Sequence, residues 1–514
     1  MRKNLKRWMS GALAAAMVFT GIGWPGKAQN VEAAGPTLTV DMSKAGEREL
    51  YHGATGWLYG QGDDQVPTAN TITALKPNTA VQKAPNGMQH PNGDVLDIAE
   101  TFLDAGGKHI QIYVPDYYAL WFYEFTGTEY YLDILEMQAK ACIEAGIEDD
   151  VVYVLYNEPT DQWIGGTYQD HDGNTVRGWD SMYWFWLDMV EKLREVYREA
   201  GVETEPKTAG LNLAVYDKTV MENYVKFCAE HDCMPDIVSW HDLATWQYNI
   251  FDQEYNHYRS MEEKYGVEPR EIVINEYAAQ SECASPGDLV RWIGLWEDYE
   301  VAGCLPFWHF SNNLNGLVAD NNEGNGAWWL YKWYGDMSGS YLPVEVKGAS
   351  QDDFYGAASI DENKKSANVI FGGRDGEAEI VLEDIASTDT FQGEELVHIK
   401  VEATDYTGFH GAAEEPRLVM EGALAVEDGT VTVPMSGMNE MSAYHITVTQ
   451  ATEDETEGML TGTWKAVYEA EDGVLTGNAV VAEADGSYAC SNRKKVHIVD
   501  NPGDSVSLQV SVPR

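Results

Sequence analysis

Short apolar runs alternate with longer amphipathic stretches from about Tyr51 to Gly339. Strands of a parallel sheet, covered by helices, read as such runs, so the pattern predicts repeated βα units. Strands are predicted at Gly53–Tyr59, Thr79–Lys83, His109–Val114, Val151–Tyr156, Lys207–Leu213, Ile237–His241, Ile272–Glu276 and Cys304–Phe310. Eight is the number that closes a (β/α)8 barrel. Between them apolar positions recur at helical spacing, as in Trp186, Met189, Val190, Leu193 and Tyr197, or in Val220, Tyr224, Phe227 and Cys228 behind Asp217. Ser285-Pro286-Gly287-Asp288 joins an N-cap, a first-turn proline and a capping acid, and it opens another helix.

Beyond Tyr341 the period shortens to two. Ala367–Phe371, Glu379–Leu382, Val397–Val401, Thr430–Val433 and Tyr444–Val448 are separated by Gly, Asp and Asn turns, which predicts an antiparallel β-sandwich. The acidic stretch Ala451–Gly458 reads as a linker. Tyr468-Glu469-Ala470-Glu471-Asp472 opens a further β-rich segment that is too short for a whole sandwich. The expected class is α/β: a (β/α)8 TIM barrel over 35–340, a β-sandwich over 341–450, a linker over 451–464 and a truncated second sandwich over 465–514.

The N-terminus adds a compartment. Met1–Arg7 is basic, Trp8–Gly23 is apolar, and Val31-Glu32-Ala33 or Glu32-Ala33-Ala34 offers small residues for cleavage. This predicts a signal peptide over 1–34, a secreted or cell-surface protein and no membrane insertion after its removal; a retained anchor is the alternative. Acidic residues number 83 against 34 basic ones, a formal charge of −49. Such a charge repels nucleic acid and anionic surfaces and leaves neutral sugars available as partners. Cys142, Cys228, Cys233, Cys283, Cys304 and Cys490 show neither disulfide-framework spacing nor a metal-type pair.

Two strand runs end alike, in Asn157-Glu158-Pro159 and in Asn275-Glu276-Tyr277. Barrel chemistry sits where strands end, and two carboxylates brought to one mouth are the minimal kit for glycosidic bond cleavage. At ~5–5.5 Å apart, with an effective dielectric near 20, they repel by ~3 kcal/mol and titrate as a pair. Asn157 is placed to meet a sugar 2-hydroxyl. His241, ending its strand, either holds the nucleophile or a sugar hydroxyl, or is a hydrogen-bonded structural histidine. Trp57 and Trp308 either offer flat faces to a sugar ring or simply pack. Lys83 at a strand end, His90 in the loop after it and Tyr277 are further candidate substrate contacts.

The strand-borne Asn157-Glu158-Pro159, the later Glu276 and the eight βα units resemble clan A of the glycoside hydrolases. Gly56-Trp57-Leu58-Tyr59-Gly60 and the trailing sandwich are most like family 39, of the β-xylosidase and α-L-iduronidase type. The resemblance implies a retaining glycosidase without a catalytic cofactor, with Glu158 as acid/base and Glu276 as nucleophile. Its implied substrates are xylose-, arabinose- or galactose-containing oligo- or polysaccharides. Tyr156 before Asn157, and Tyr277 after Glu276, depart from the commoner pattern. Tyr468-Glu469-Ala470-Glu471 resembles the opening strand of family 6 and 35 carbohydrate-binding modules, which implies Glu469 and Glu471 as ligands of a structural Ca²⁺; an exposed acidic strand is the other reading. Against the enzyme stands a barrel that binds glycans or acts as a surface scaffold without hydrolysis.

Overall fold

A computed structural model describes residues 35–63, 66–89, 93–308, 312–320, 322–462 and 465–510. The expected signal peptide lies outside the described residues. Eight parallel strands, Gly56–Leu58, Thr79–Lys83, His109–Tyr113, Val151–Val154, Lys207–Leu213, Ile237–Asp242, Glu271–Tyr277 and Ala302–Leu305, pair in chain order, and the last closes on the first. The barrel follows from the runs read above, whose strands are largely buried on both faces. Val81, Val152, Val154, Ala209 and Val273 fill the lumen, while Ile110, Tyr153, Val238 and Ile274 meet the helices. Asp217 caps Lys218–His231 by accepting the Thr219 and Val220 amides, and Ser285 caps Pro286–Tyr299. Two strands carry bulges, at Asn212 and at Asn275.

The sandwich departs from its expected bounds at both ends. Thr37–Asp41, before the barrel, pairs with Val344–Lys347 and with Gly376–Glu383, so the first described strand lies in the sandwich. Leu38 and Val40 project into the apolar interior, a period-two signal that stands apart from the rest of the sandwich because the whole barrel lies between them in sequence. Gly458–Thr461, inside the expected linker, extends the second sheet as an edge strand along Arg417–Ala425. The segment beyond residue 465 forms two short ribbons, Val474–Thr476 with Ser505–Ser507 and Val480–Glu483 with Lys494–His497.

Barrel and sandwich meet along Pro286–Tyr299. A side chain at Gly287 or Gly294 would collide with the Glu440 or Gly356 carbonyl of the sandwich, so close approach explains both glycines. Asp298 accepts the Tyr341 and Tyr355 hydroxyls across this seam. Among the described residues no helix is long and apolar enough to cross a membrane.

Candidate active site

Strand alternation, corrected by one bulge, aims two ionisable side chains at one end of the barrel, and a third joins them from the loop beyond the fourth strand. On the sixth strand Ile237 faces the lumen and Val238 and Trp240 face the helices, so His241 points in. On the seventh, Val273 faces in and Ile274 out, and strict alternation would turn Glu276 towards the helices. The bulge at Asn275 returns it to the lumen. Glu158, beyond the fourth strand, has a left-handed backbone at φ 46°, which costs a non-glycine residue on the order of 1 kcal/mol. Its amide donates to the Asn212 carbonyl at 3.0 Å.

The geometry converges on one imidazole. His241 Nδ1 lies 3.1 Å from Glu158 Oε1 and 3.7 Å from Glu276 Oε1. Tyr113, closing the third strand, donates its hydroxyl to Glu276 Oε1 at 3.4 Å and stands 3.4 Å from His241 Nε2. Side-chain exposure is 14% for Glu158, 13% for Glu276 and 0% for His241. Both carboxylates are therefore reachable by a ligand but largely stripped of water, which strengthens every charge interaction between them. Burial pushes the Glu276 carboxyl up to about 7; the Glu158 charge adds to this, while His241 and the Tyr113 hydroxyl oppose it. Burial alone would lower His241, but the Glu276 and Glu158 carboxylates outweigh it and leave its imidazolium raised.

A chain of amides and hydroxyls stands behind these groups. Asn275 donates to Asn212 and Asn212 to Asn157, each at 3.0 Å; Asn157 donates to the Tyr123 hydroxyl at 2.8 Å. Tyr123 in turn donates to Asp116 at 3.2 Å, and Tyr59 donates to the other oxygen of that carboxyl. Burial pushes Asp116 up to about 7 against the two tyrosine hydroxyls and Lys83. Lys83 is itself buried on the second strand, and burial lowers its ammonium despite nearby Asp94 and Asp116.

The structure thus brings Glu158, Glu276 and His241 into contact, with Asn157 one residue from Glu158. It places other candidates elsewhere. Trp57 is 1% exposed and meets Phe102 edge-on at 6.0 Å, because its place in the strand faces it towards the helices. It is not a sugar platform. Tyr277, one residue past Glu276, also faces outward and donates to the Ala54 carbonyl at 3.1 Å beside the Tyr331 hydroxyl. Trp308 is half-buried, donates to the Ala278 carbonyl at 3.1 Å and lines a side cleft whose walls include neither Glu158 nor Glu276. His90 lies outside the described residues. Glu469 accepts from Ser491 at 2.8 Å, Glu471 holds a buried oxygen with no hydrogen-bond donor, and neither joins a three-ligand cluster among the described residues. Tyr113, Asp116 and Asn212 were missed in the sequence. All three close or follow a barrel strand, and that position was the available signal.

No family model matches the chain. It is 27% identical, over 91% of its length, to a 3-O-alpha-D-galactosyl-alpha-L-arabinofuranosidase of Bifidobacterium longum subsp. longum. It is 28% identical, over 86% of its length, to a 3-O-beta-L-arabinopyranosyl-alpha-L-arabinofuranosidase of Bifidobacterium pseudocatenulatum. The matches cover 46% and 50% of those proteins, so the chain spans about half the length of the curated relatives it matches. A solved structure from Neocallimastix frontalis is 27% identical with a TM-score of 0.69, covering 81% of this chain and 100% of that one. A family 39 glycoside hydrolase of Xanthomonas axonopodis pv. citri superposes with a TM-score of 0.51 at 10% identity, over 81% of this chain and 98% of that one, a likeness of fold alone. The resemblance to glycoside hydrolases therefore holds: the named relatives are glycosidases, and the barrel with its sandwich shares the fold of the family 39 structure. Nothing in these likenesses speaks for a carbohydrate-binding module after residue 465.

Proposed function

We propose that this chain is a retaining glycoside hydrolase acting on arabinose-containing glycans, with α-L-arabinofuranosidic bonds as the target. One observation carries the reading: Glu158 and Glu276 both contact His241 Nδ1 in a single, mostly dehydrated mouth. Sharing that neighbour keeps the two oxygens clear of most of the ~6.5–9.5 Å range that inverting enzymes need for a water. The activity named for the two bifidobacterial relatives supplies the sugar.

In this reading Glu158 protonates the glycosidic oxygen as the bond to the anomeric carbon breaks, and the Glu276 carboxylate attacks that carbon. Glu158, now ionised, then takes a proton from water, whose oxygen displaces Glu276 and restores both groups. The step needs the pair's proton on Glu158 once a glycoside is bound. Positive charge growing on the ring stabilises the Glu276 carboxylate, and the Tyr113 hydroxyl stabilises it further. Two carboxylates and a water complete the cycle, so no catalytic cofactor is called for. The basic and apolar N-terminal stretch supports export of the protein, which N-terminal sequencing of material from the medium would check. Glu469 and the orphaned Glu471 oxygen support a cation site only in part, because Ca²⁺ takes 6–8 oxygens. Loss of thermal stability on chelation is the expected sign of such a site.

The test is proton NMR of the products from an aryl α-L-arabinofuranoside, with wild-type protein and Glu158→Ala. Retained configuration is expected, and Glu158→Ala should keep turnover only on substrates whose leaving group needs no proton. Inverted product, or equal loss on good and poor leaving groups, overturns the assignment.

A further inference from the structure

A cleft of about 940 Å³ opens beside the barrel mouth, with walls from three parts of the chain. The barrel contributes Trp246, on the short helix after the strand that bears His241, and Trp308, which is anchored to Ala278 two residues past Glu276. The sandwich contributes Asp352 and Glu440, and the segment beyond residue 465 contributes Tyr488 and Asn492. Its size lies at the upper end of ligand pockets, far more than one monosaccharide fills.

Two features give the cleft a ligand chemistry. Trp246 and Tyr488, which line it, keep 52% and 51% of their surface exposed, in a protein where most tyrosines of the barrel are buried. The Tyr488 ring meets Phe409 at 5.7 Å, and Phe409 packs in one cluster with Trp308, so an aromatic path runs from the outer wall back to the mouth. Flat rings beside amides and carboxylates suit the C–H faces and hydroxyls of sugars. The charge is one-sided. Glu282, Asp288, Asp352, Asp353, Glu440 and Asp485 line the cleft against Arg291 and Arg493 alone, and Arg291 is already engaged by Glu282 and the Asp352 carbonyl. An anionic glycan would meet repulsion there.

We propose that this cleft is a distal subsite for the rest of a neutral, multi-unit glycan whose reacting arabinose sits at Glu158 and Glu276, and that Tyr488 and Trp246 are its stacking platforms. The inference rests on the proposed function and deepens it: the protein selects long neutral chains, and the segment beyond residue 465 is part of the substrate-binding surface.

Binding to Glu276→Ala reads the cleft without turnover. That variant is titrated calorimetrically with a neutral arabinogalactan oligosaccharide of several units, with methyl α-L-arabinofuranoside and with a uronate-bearing oligosaccharide of equal length. Adding Tyr488→Ala or Trp246→Ala should weaken the neutral oligosaccharide about fivefold to tenfold, with methyl arabinofuranoside unchanged and Tyr488→Phe restoring affinity. The uronate-bearing chain should bind more weakly than the neutral one. Absent oligosaccharide binding, affinity indifferent to both alanines, equal loss for the monosaccharide, or preference for the uronate chain overturns the proposal. If wild-type protein cleaves no arabinoside yet the alanines still weaken the oligosaccharide, the cleft stands and the catalytic reading falls. If arabinosides are cleaved and the alanines change nothing, the reverse holds.

Discussion

The barrel and the sandwich are built around interiors of opposite character. The sandwich interior, from Leu38 and Val40 through Phe371 to Ile446 and Val448, is one apolar cluster shared by two sheets. The barrel closes around apolar residues too, yet it also buries Lys83, Asp116, His241, Asp242, Glu254 and Asn275. Burial pushes Asp116 and Asp242 up to about 7 and Glu254 up to about 9. A buried carboxylate lowers stability unless paired, so a chain shaped for stability alone would resemble the sandwich throughout. The barrel mouth tolerates that penalty where its strands end, and the apolar sandwich seated on Pro286–Tyr299 helps to offset it.

That contrast can be broken from either side. The largest effect expected is on turnover: Glu276→Ala should lower kcat by about 10⁴-fold or more, with thermal stability equal or higher because a buried acid is gone. Comparable activity in the purified variant, measured on an arabinofuranoside, would remove the mouth's claim to the chemistry. Ile446→Ala, in the sandwich, should do the opposite, costing about 2–5 kcal/mol in denaturant unfolding while kcat/KM of the folded fraction stays the same. A matching fall in kcat/KM would show that the two interiors are coupled.

Acidity sharpens the comparison. Glu276 and Asp116 stand at about 7 when folded, above ordinary values of 4.5 and 3.8. A group raised on folding supports the native state fully below its unfolded value and loses that support as pH rises through the folded value. Stability should therefore fall between pH 5 and 8, and Glu276→Gln should flatten the fall by on the order of 2–3 kcal/mol at most, read by urea titration across pH. An unchanged slope in that variant would deny Glu276 its raised value. On the activity side, the acid limb of kcat/KM should lie near pH 7, since attack in the proposed mechanism needs the Glu276 carboxylate. The smallest expected effect is Asn157→Ala, which removes one link of the amide chain and should lower kcat/KM by roughly 10-fold to 100-fold, with KM for the arabinoside showing whether ground-state binding is lost.

Much of this was legible because barrel strands are read by two rules that need no partner: apolar runs mark the strands, and their ends mark the mouth. Thr79–Lys83 and Lys207–Leu213 begin and end in the structure where the runs do. Failures arose where facing, not position, was at stake. Trp57 sits in the first barrel strand as expected but faces Phe102, since period-two alternation sends neighbours to opposite sides. Thr37–Asp41 precedes the barrel, far in sequence from the other sandwich strands, and its sheet is set by Gly376–Glu383, hundreds of residues on.

By itself the amino-acid sequence determined the number and order of the barrel strands, the change from helical to alternating period near Tyr341, and the delivery of Glu158 and Glu276 to one end of the barrel, because local pattern and the barrel's repeat suffice for each. Only tertiary structure decided that a bulge at Asn275 would turn Glu276 inward, that His241 would stand between the two carboxylates, and that burial would raise Glu276 towards neutrality. Those outcomes depend on which strands lie side by side and on how much water their closure excludes, and no stretch of chain encodes either alone.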